Sequence, residues 1–74
     1  RDLPAESKLI TMLLNRLERI SADSVWAHRA SGLRGSLLRA LDQIEQGDPL
    51  DSASFRSLLM SGFHILREAA KEMG

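Results

Sequence analysis

The 74-residue sequence contains no cysteine and no tyrosine, and only two of its residues are proline. Without cysteine the chain cannot form a disulfide, and it has no thiolate to bind zinc or to attack a substrate. Aromatic residues make up only 4% of the chain, and no segment shows the alternating pattern of a β-strand. The sequence therefore predicts neither a disulfide scaffold nor a β-sheet protein.

The chain also lacks an excess of charge and any long hydrophobic run. Ten basic residues balance ten acidic residues, which gives no general attraction to nucleic acid or to an anionic membrane. No apolar run approaches the roughly 18 residues that a membrane span needs. Because the sequence begins with Arg1 and shows no leader, we expect a single domain over residues 1–74, cut from a longer intracellular (cytoplasmic or nuclear) protein.

Apolar residues instead recur at intervals of three and four, which places them on one side of an α-helix. Three such stretches predict helices over residues 4–20, 24–46 and 51–73. The predicted stripe of the third helix is widened by Ile65 and Ala69 and consists of Phe55, Leu58, Leu59, Phe63, Leu66, Ala70 and Met73. Because joints of a few residues force neighbouring helices to run antiparallel, the sequence predicts an all-α fold, a small up-down-up three-helix bundle.

The ends of these stretches carry residues typical of helix termini. Pro4 suits the first turn of the first helix, and either Asp23 or Ser24 is the expected N-cap of the second. Gly47 is the expected terminator of the second helix, and Asp51 the expected N-cap of the third.

The second predicted helix has an unusual face opposite its apolar stripe. His28, Gly32, Gly35 and Arg39 follow one another along that face at intervals of four, three and four. An interior helical glycine costs about 0.8–1 kcal/mol relative to alanine, a large cost in a domain this small. Ala27, Ser31 and Gly35 add a row of small residues, a pattern that allows another backbone to approach closely.

Two interpretations of these glycines remain open. In the first, the helix is continuous and its small residues form a shallow surface for a partner helix or peptide, with His28 and Arg39 as polar clamps at its ends. In the second, residues 31–36 form a kink or a short loop that splits the helix near Gly32 and Gly35. The unbroken apolar phase from Trp26 to Leu37 favours a continuous helix.

The neutral total charge divides into two unequal halves. Residues 1–41 hold seven basic and four acidic residues, a net charge of +3, and residues 42–74 have a net charge of −3. Arg29, Arg34 and Arg39, with His28, are candidates for a positive patch that meets an acidic protein segment or phosphates. Because the three arginines point in different directions on the helix, pairing with acids of the other helices is favoured over a patch.

Catalytic and metal-binding patterns are weak. The histidines His28 and His64 lie on predicted polar faces, and the His64 and Glu68 pair falls short of the three or four ligands of a zinc site. Serines occur only at helix ends or on polar faces, and we expect so small a bundle to lack a pocket of a few hundred cubic ångströms. The sequence therefore predicts no enzyme, no cofactor and no metal site.

The sequence favours a non-catalytic protein–protein interaction module of a scaffold or regulatory protein, which docks a partner helix or peptide on the second helix. Trp26 is expected to close one end of the core, with a binding role as the alternative. Homo-oligomerisation, in the simplest case a homodimer, is the alternative function, and nucleic-acid binding through the three arginines is the least favoured. The candidate partner-binding residues are Trp26, His28, Arg29, Ser31, Gly32, Arg34, Gly35 and Arg39.

Overall fold

The computed structural model describes residues 5–73 and places three α-helices in that range. Helix α1 spans Ala5–Glu18, α2 spans Ala27–Glu45 and α3 spans Ser52–Met73. Each helix packs against the other two, and residues 5–73 contain no strand. The all-α three-helix prediction is confirmed, whereas the predicted role of Pro4 falls outside the described residues.

Contacts between helices show their relative directions. Glu18, at the end of α1, forms an ion pair with Arg34 of α2, and Glu6, at its beginning, lines a cleft with Ile44 of α2. The Ser24 hydroxyl, just before α2, donates a hydrogen bond to the Glu72 carboxylate near the end of α3 at 2.6 Å. Helix α2 therefore runs antiparallel to both other helices, which confirms the up-down-up arrangement.

The core consists of aliphatic side chains at helical spacing from all three helices. On α1 and α2 they follow the predicted apolar stripes, so the burial of these faces stabilises the bundle as the sequence indicates. The buried core residues are Ile10, Leu13, Leu14, Leu17, Ala30, Leu37, Ala40, Ile65 and Ala69.

The core-facing line of α3 differs from the predicted one. The sequence pattern places Phe63 in the apolar stripe, with Ile65 and Ala69 at its edge, yet Ile65 and Ala69 are buried and Phe63 is 47% exposed. Because α3 packs against both α1 and α2, its most buried line faces the space between them and includes Gly62. A Cβ at Gly62 would lie 3.0 Å from both terminal methyl carbons of Leu13, so the missing side chain permits the close approach of α1 and α3.

The N-terminus of α2 lies later than predicted, and neither Asp23 nor Ser24 is its N-cap. The helix begins at Ala27, and Trp26 occupies the N-cap position without a side-chain cap. The Ser24 hydroxyl accepts a hydrogen bond from the Trp26 N–H at 3.0 Å, and its carbonyl accepts one from the Ala27 N–H. These bonds hold residues 24–27 in a turn before the helix, because a serine side chain competes for backbone donors in such positions.

The joint between α2 and α3 follows the predicted chemistry. Gly47 has a positive φ of 90°, and its N–H bonds the Ile44 carbonyl while the Asp48 N–H bonds the Gln43 carbonyl, the two bonds of a Schellman motif. The Asp51 carboxylate accepts a hydrogen bond from the Ser54 N–H at 3.1 Å. The expected terminator and the expected N-cap of the third helix are both confirmed.

Candidate functional site

Helix α2 continues without interruption through Gly32 and Gly35. All residues from Ala27 to Glu45 are α-helical, and the only glycine with a positive φ within residues 5–73 is Gly47. The alternative of a loop that splits the helix at residues 31–36 is therefore wrong. The glycines lie in the middle of a 19-residue helix, where each carries the cost of its backbone freedom.

Neither glycine is required by the packing of this chain. A Cβ at Gly32 would meet no atom within 4 Å, and a Cβ at Gly35 would meet only the Arg39 Nη1 atom, at 3.7 Å. Both positions thus accept a Cβ without a clash, in contrast to Gly62.

The structure brings five of the predicted site residues to one solvent-facing side of α2. We call this surface the small-residue face. It consists of His28, Ser31, Gly32, Gly35 and Arg39, which follow one another at helical spacing. The Arg39 Nη2 atom donates a hydrogen bond to the Ser36 hydroxyl at 3.3 Å. The guanidinium therefore lies along the helix surface at one end of the face, and His28 lies at the other.

The other three predicted site residues lie elsewhere. Trp26 is half-buried and packs against the core, and its ring meets the His64 ring edge to face at 5.5 Å. The Arg29 guanidinium lies 5.2 Å from the centre of the Trp26 ring, a cation–π distance. The Arg34 Nη2 atom is 3.5 Å from the Glu18 carboxylate of α1. The three arginines therefore do not converge on one patch, in agreement with their different directions on the helix.

Leu38 is an exposed apolar residue next to the small-residue face that the sequence interpretation missed. Its side chain is 52% exposed, and it lies three residues after Gly35 and seven after Ser31, on the same side of α2. The signal was present, because Leu38 falls outside the core phase of Leu37 and Leu41. Leu38 gives this flat surface an apolar projection.

The polar residues of α3 form a surface ion pair and no metal site. The Lys71 ammonium donates a hydrogen bond to the Glu68 carboxylate at 3.0 Å. This bond, with the charges of Lys71, His64 and Arg67, lowers the pKa of Glu68 below its ordinary value of 4.5. Among residues 5–73, no three His, Asp or Glu side chains come together as metal ligands.

The surface of the bundle has open clefts between its helices. One cleft, of about 370 Å³, lies between the end of α1, the following turn and the last part of α3. Its walls include Ile20, Leu66 and Ala70, with Arg16 and Arg19 beside them. Helix ends that diverge at a turn leave such a space even in a small bundle.

None of the helices in the described part of the chain is long and apolar enough to cross a lipid bilayer. No protein-family model matches the sequence, and no significant match was found among curated proteins or among solved structures.

Proposed function

We propose that this chain is a non-catalytic protein-interaction module of an intracellular scaffold or regulatory protein, and that it docks a partner helix or peptide on the small-residue face of α2. The observation that supports this proposal is the pair of solvent-facing glycines, Gly32 and Gly35, in an unbroken helix. Neither is required by a neighbouring atom of the chain. Together they cost about 2 kcal/mol relative to alanine, a substantial part of the stability of a small domain.

The chemistry of the face suits the close approach of another backbone. At Gly32 no side chain keeps a partner helix away, and at Gly35 only the flexible Arg39 side chain lies beside the backbone. Once Arg39 moves aside, the partner's backbone can come within van der Waals contact. Leu38 supplies apolar area at the side of this contact. Arg39 is exposed, and its bond to the Ser36 hydroxyl is readily exchanged for a charge-assisted bond to a carboxylate or carbonyl of the partner.

A second copy of the chain is the alternative occupant of the same face. Two small-residue faces in contact would bury Leu38 of both copies and help a domain with a small core. This alternative predicts self-association that rises with protein concentration. Nucleic-acid binding is less well supported, because Arg29 and Arg34 are directed to Trp26 and Glu18.

The test uses Gly32→Leu and Gly35→Leu, with Ser61→Leu as a control that adds the same side chain to an exposed position of α3. Immobilised wild-type domain is used to capture proteins from a lysate of the source cells, and each variant is compared with it. We expect one partner to be retained by wild type and by Ser61→Leu and to be lost with both glycine variants, whose helical content stays unchanged.

Equal capture of that partner by the glycine variants would contradict the proposal. Sedimentation velocity over a concentration series separates the two occupants. Self-association that Gly35→Leu removes would assign the face to a second copy of the chain.

A further inference from the structure

A second surface, on the side of the bundle formed by α1 and α3, combines apolar and cationic side chains. Met12, Arg16, Phe63, Leu66 and Arg67 line a cleft between the two helices. This cleft shares Arg16 and Leu66 with the cleft at the end of the bundle, so the two clefts adjoin and are treated together as one groove. We call it the basic groove.

Large apolar side chains are exposed in the basic groove and on the preceding turn of α3. Phe63 is 47% exposed, and Met60, almost one turn earlier on α3, is 66% exposed. Met12 and Leu66 are only half-buried. The core buries these side chains only in part. An apolar partner surface would remove the exposed part from water, which favours binding.

The cations of the groove have no acidic partner in the described structure. Arg16, Arg19 and Arg67 line the groove, and Lys8 lines an adjoining cleft with Arg16 and Arg19. Within residues 5–73, the side-chain ion pairs and hydrogen bonds of the chain do not involve any of these four side chains. The groove is therefore a positively charged surface on a chain with no net charge.

Two acidic residues of α1 and α3 form ion pairs with cations outside the groove. Glu18 faces Arg34 of α2, and Glu68 pairs with Lys71. Asp23 and Glu72 lie at the far end of the groove, near the turn, where Glu72 accepts the Ser24 hydrogen bond. The unpaired positive charge thus lies along the middle of the groove, beside Met12 and Phe63.

We propose that the basic groove binds an acidic amphipathic helix of a protein partner. The helical stretch from Met12 to Glu18 measures about 9 Å at 1.5 Å per residue, and with the adjoining cleft beyond the end of α1 the groove suits a helical ligand of about two turns. Apolar residues of the ligand at i, i+3, i+4 and i+7 contact Phe63, Met12 and Leu66, and carboxylates on its flanks meet the arginines. This surface is separate from the small-residue face of α2, so binding at the groove does not depend on binding at that face.

Charge and shape favour this occupant over others. A symmetric dimer through the groove would bring Arg16 and Arg67 of one copy against the same cations of the other, which is unfavourable. Met12 and Leu66 line a groove between two helices, which suits the convex face of a helix better than a flat lipid surface.

The experiment is a selection of displayed random peptides of about 12 residues, long enough for three helical turns, against the immobilised domain. The groove variants are Arg16→Glu/Arg67→Glu and Phe63→Ser. Arg29→Glu/Arg39→Glu is the control, because it changes the net charge by the same amount at exposed residues of α2, outside the groove. Circular dichroism shows whether each variant keeps the helical content of the wild type.

We expect enriched peptides with apolar residues at helical spacing and an excess of Asp and Glu. Both groove variants should weaken their binding at least about tenfold in fluorescence anisotropy, and the control should stay within about twofold. No enrichment, enriched peptides without acidic residues, or binding that the groove variants leave unchanged would overturn the proposal. Binding to phosphatidylserine vesicles that Arg16→Glu/Arg67→Glu abolishes, without binding of acidic peptides, would assign the groove to a membrane surface instead.

Discussion

Three glycines lie inside helices of this bundle. One of them is required by the packing of two helices, and the other two are not. At Gly62 a side chain would meet Leu13 of α1, whereas Gly32 is open to solvent and Gly35 meets only a flexible arginine. Residue type alone does not make this distinction, because all three have the same intrinsic helix cost. We therefore expect alanine to affect stability differently at these positions.

Gly32→Ala should raise the free energy of unfolding by about 0.8–1 kcal/mol, because alanine loses less backbone freedom on entering a helix. The new Cβ would meet no atom within 4 Å, so no steric cost opposes this gain. Urea unfolding followed by circular dichroism measures the change.

Gly62→Ala is the matched comparison, since it adds the same methyl group to another helix interior. Its Cβ would lie 3.0 Å from both methyl carbons of Leu13, which is fully buried and cannot move into solvent. We expect no gain in stability, because overpacking of about 1–3 kcal/mol offsets the helix propensity. Equal stabilisation by both variants would contradict the close approach of α1 and α3.

The helix termini show which of the predicted capping residues accept a hydrogen bond from the first turn of a helix. Asp51 accepts the Ser54 N–H and thereby satisfies one of the free donors at the start of α3. Asp23 has the same side chain, but it lies four residues before α2 begins. Its carboxylate accepts no hydrogen bond from the described residues. A cap stabilises a helix only where the first turn follows it directly.

Asp51→Ala should therefore lower the free energy of unfolding by about 1 kcal/mol, through the loss of the N-cap bond. Asp23→Ala should change it by less than about 0.5 kcal/mol, as is usual for exposed positions away from such features. Thermal and urea unfolding of both variants test this pair. A larger loss for Asp23→Ala would mean that α2 begins near residue 24 in solution.

In the whole molecule, the fold gives two sides of a neutral chain different surfaces, one cationic and apolar and the other made of small residues. The cations Arg16, Arg19 and Arg67 lie along α1 and α3 with Phe63, while Gly32 and Gly35 face solvent on α2. The core beneath these surfaces is small, and within residues 5–73 the largest fully buried side chains are Ile10, Leu13, Leu37 and Ser7. A domain of this size depends strongly on each core side chain.

Leu37→Ala and Leu38→Ala make the same change at adjacent residues of α2 with opposite surroundings. Leu37 is 0% exposed and Leu38 is 52% exposed. Leu37→Ala should cost about 2–5 kcal/mol and leave much of the domain unfolded, whereas Leu38→Ala should cost less than about 1 kcal/mol. Chemical denaturation tests the pair, and similar losses for the two variants would contradict the orientation of α2.

The predicted interhelical charge pairing is realised at only one of the three arginines of α2. Arg34 pairs with Glu18, but Arg29 lies on Trp26 and Arg39 bonds Ser36. Sequence periodicity gives the direction of a side chain around its own helix, but not which residue of another helix lies opposite. The interhelical ion pair of Arg34 with Glu18 and the basic groove therefore could not be predicted, since both depend on the axial offset and rotation of packed helices.

Local chemistry in the sequence determined the three helices, the outward direction of Gly32 and Gly35, the Gly47 terminator and the Asp51 cap. Each of these depends on residues within one or two turns of each other. The tertiary structure alone decided that α3 buries Gly62 and Ile65 and leaves Phe63 exposed. Helix α3 has a wide apolar surface, and only its contact with both α1 and α2 selects which part of that surface becomes core and which part lines the basic groove.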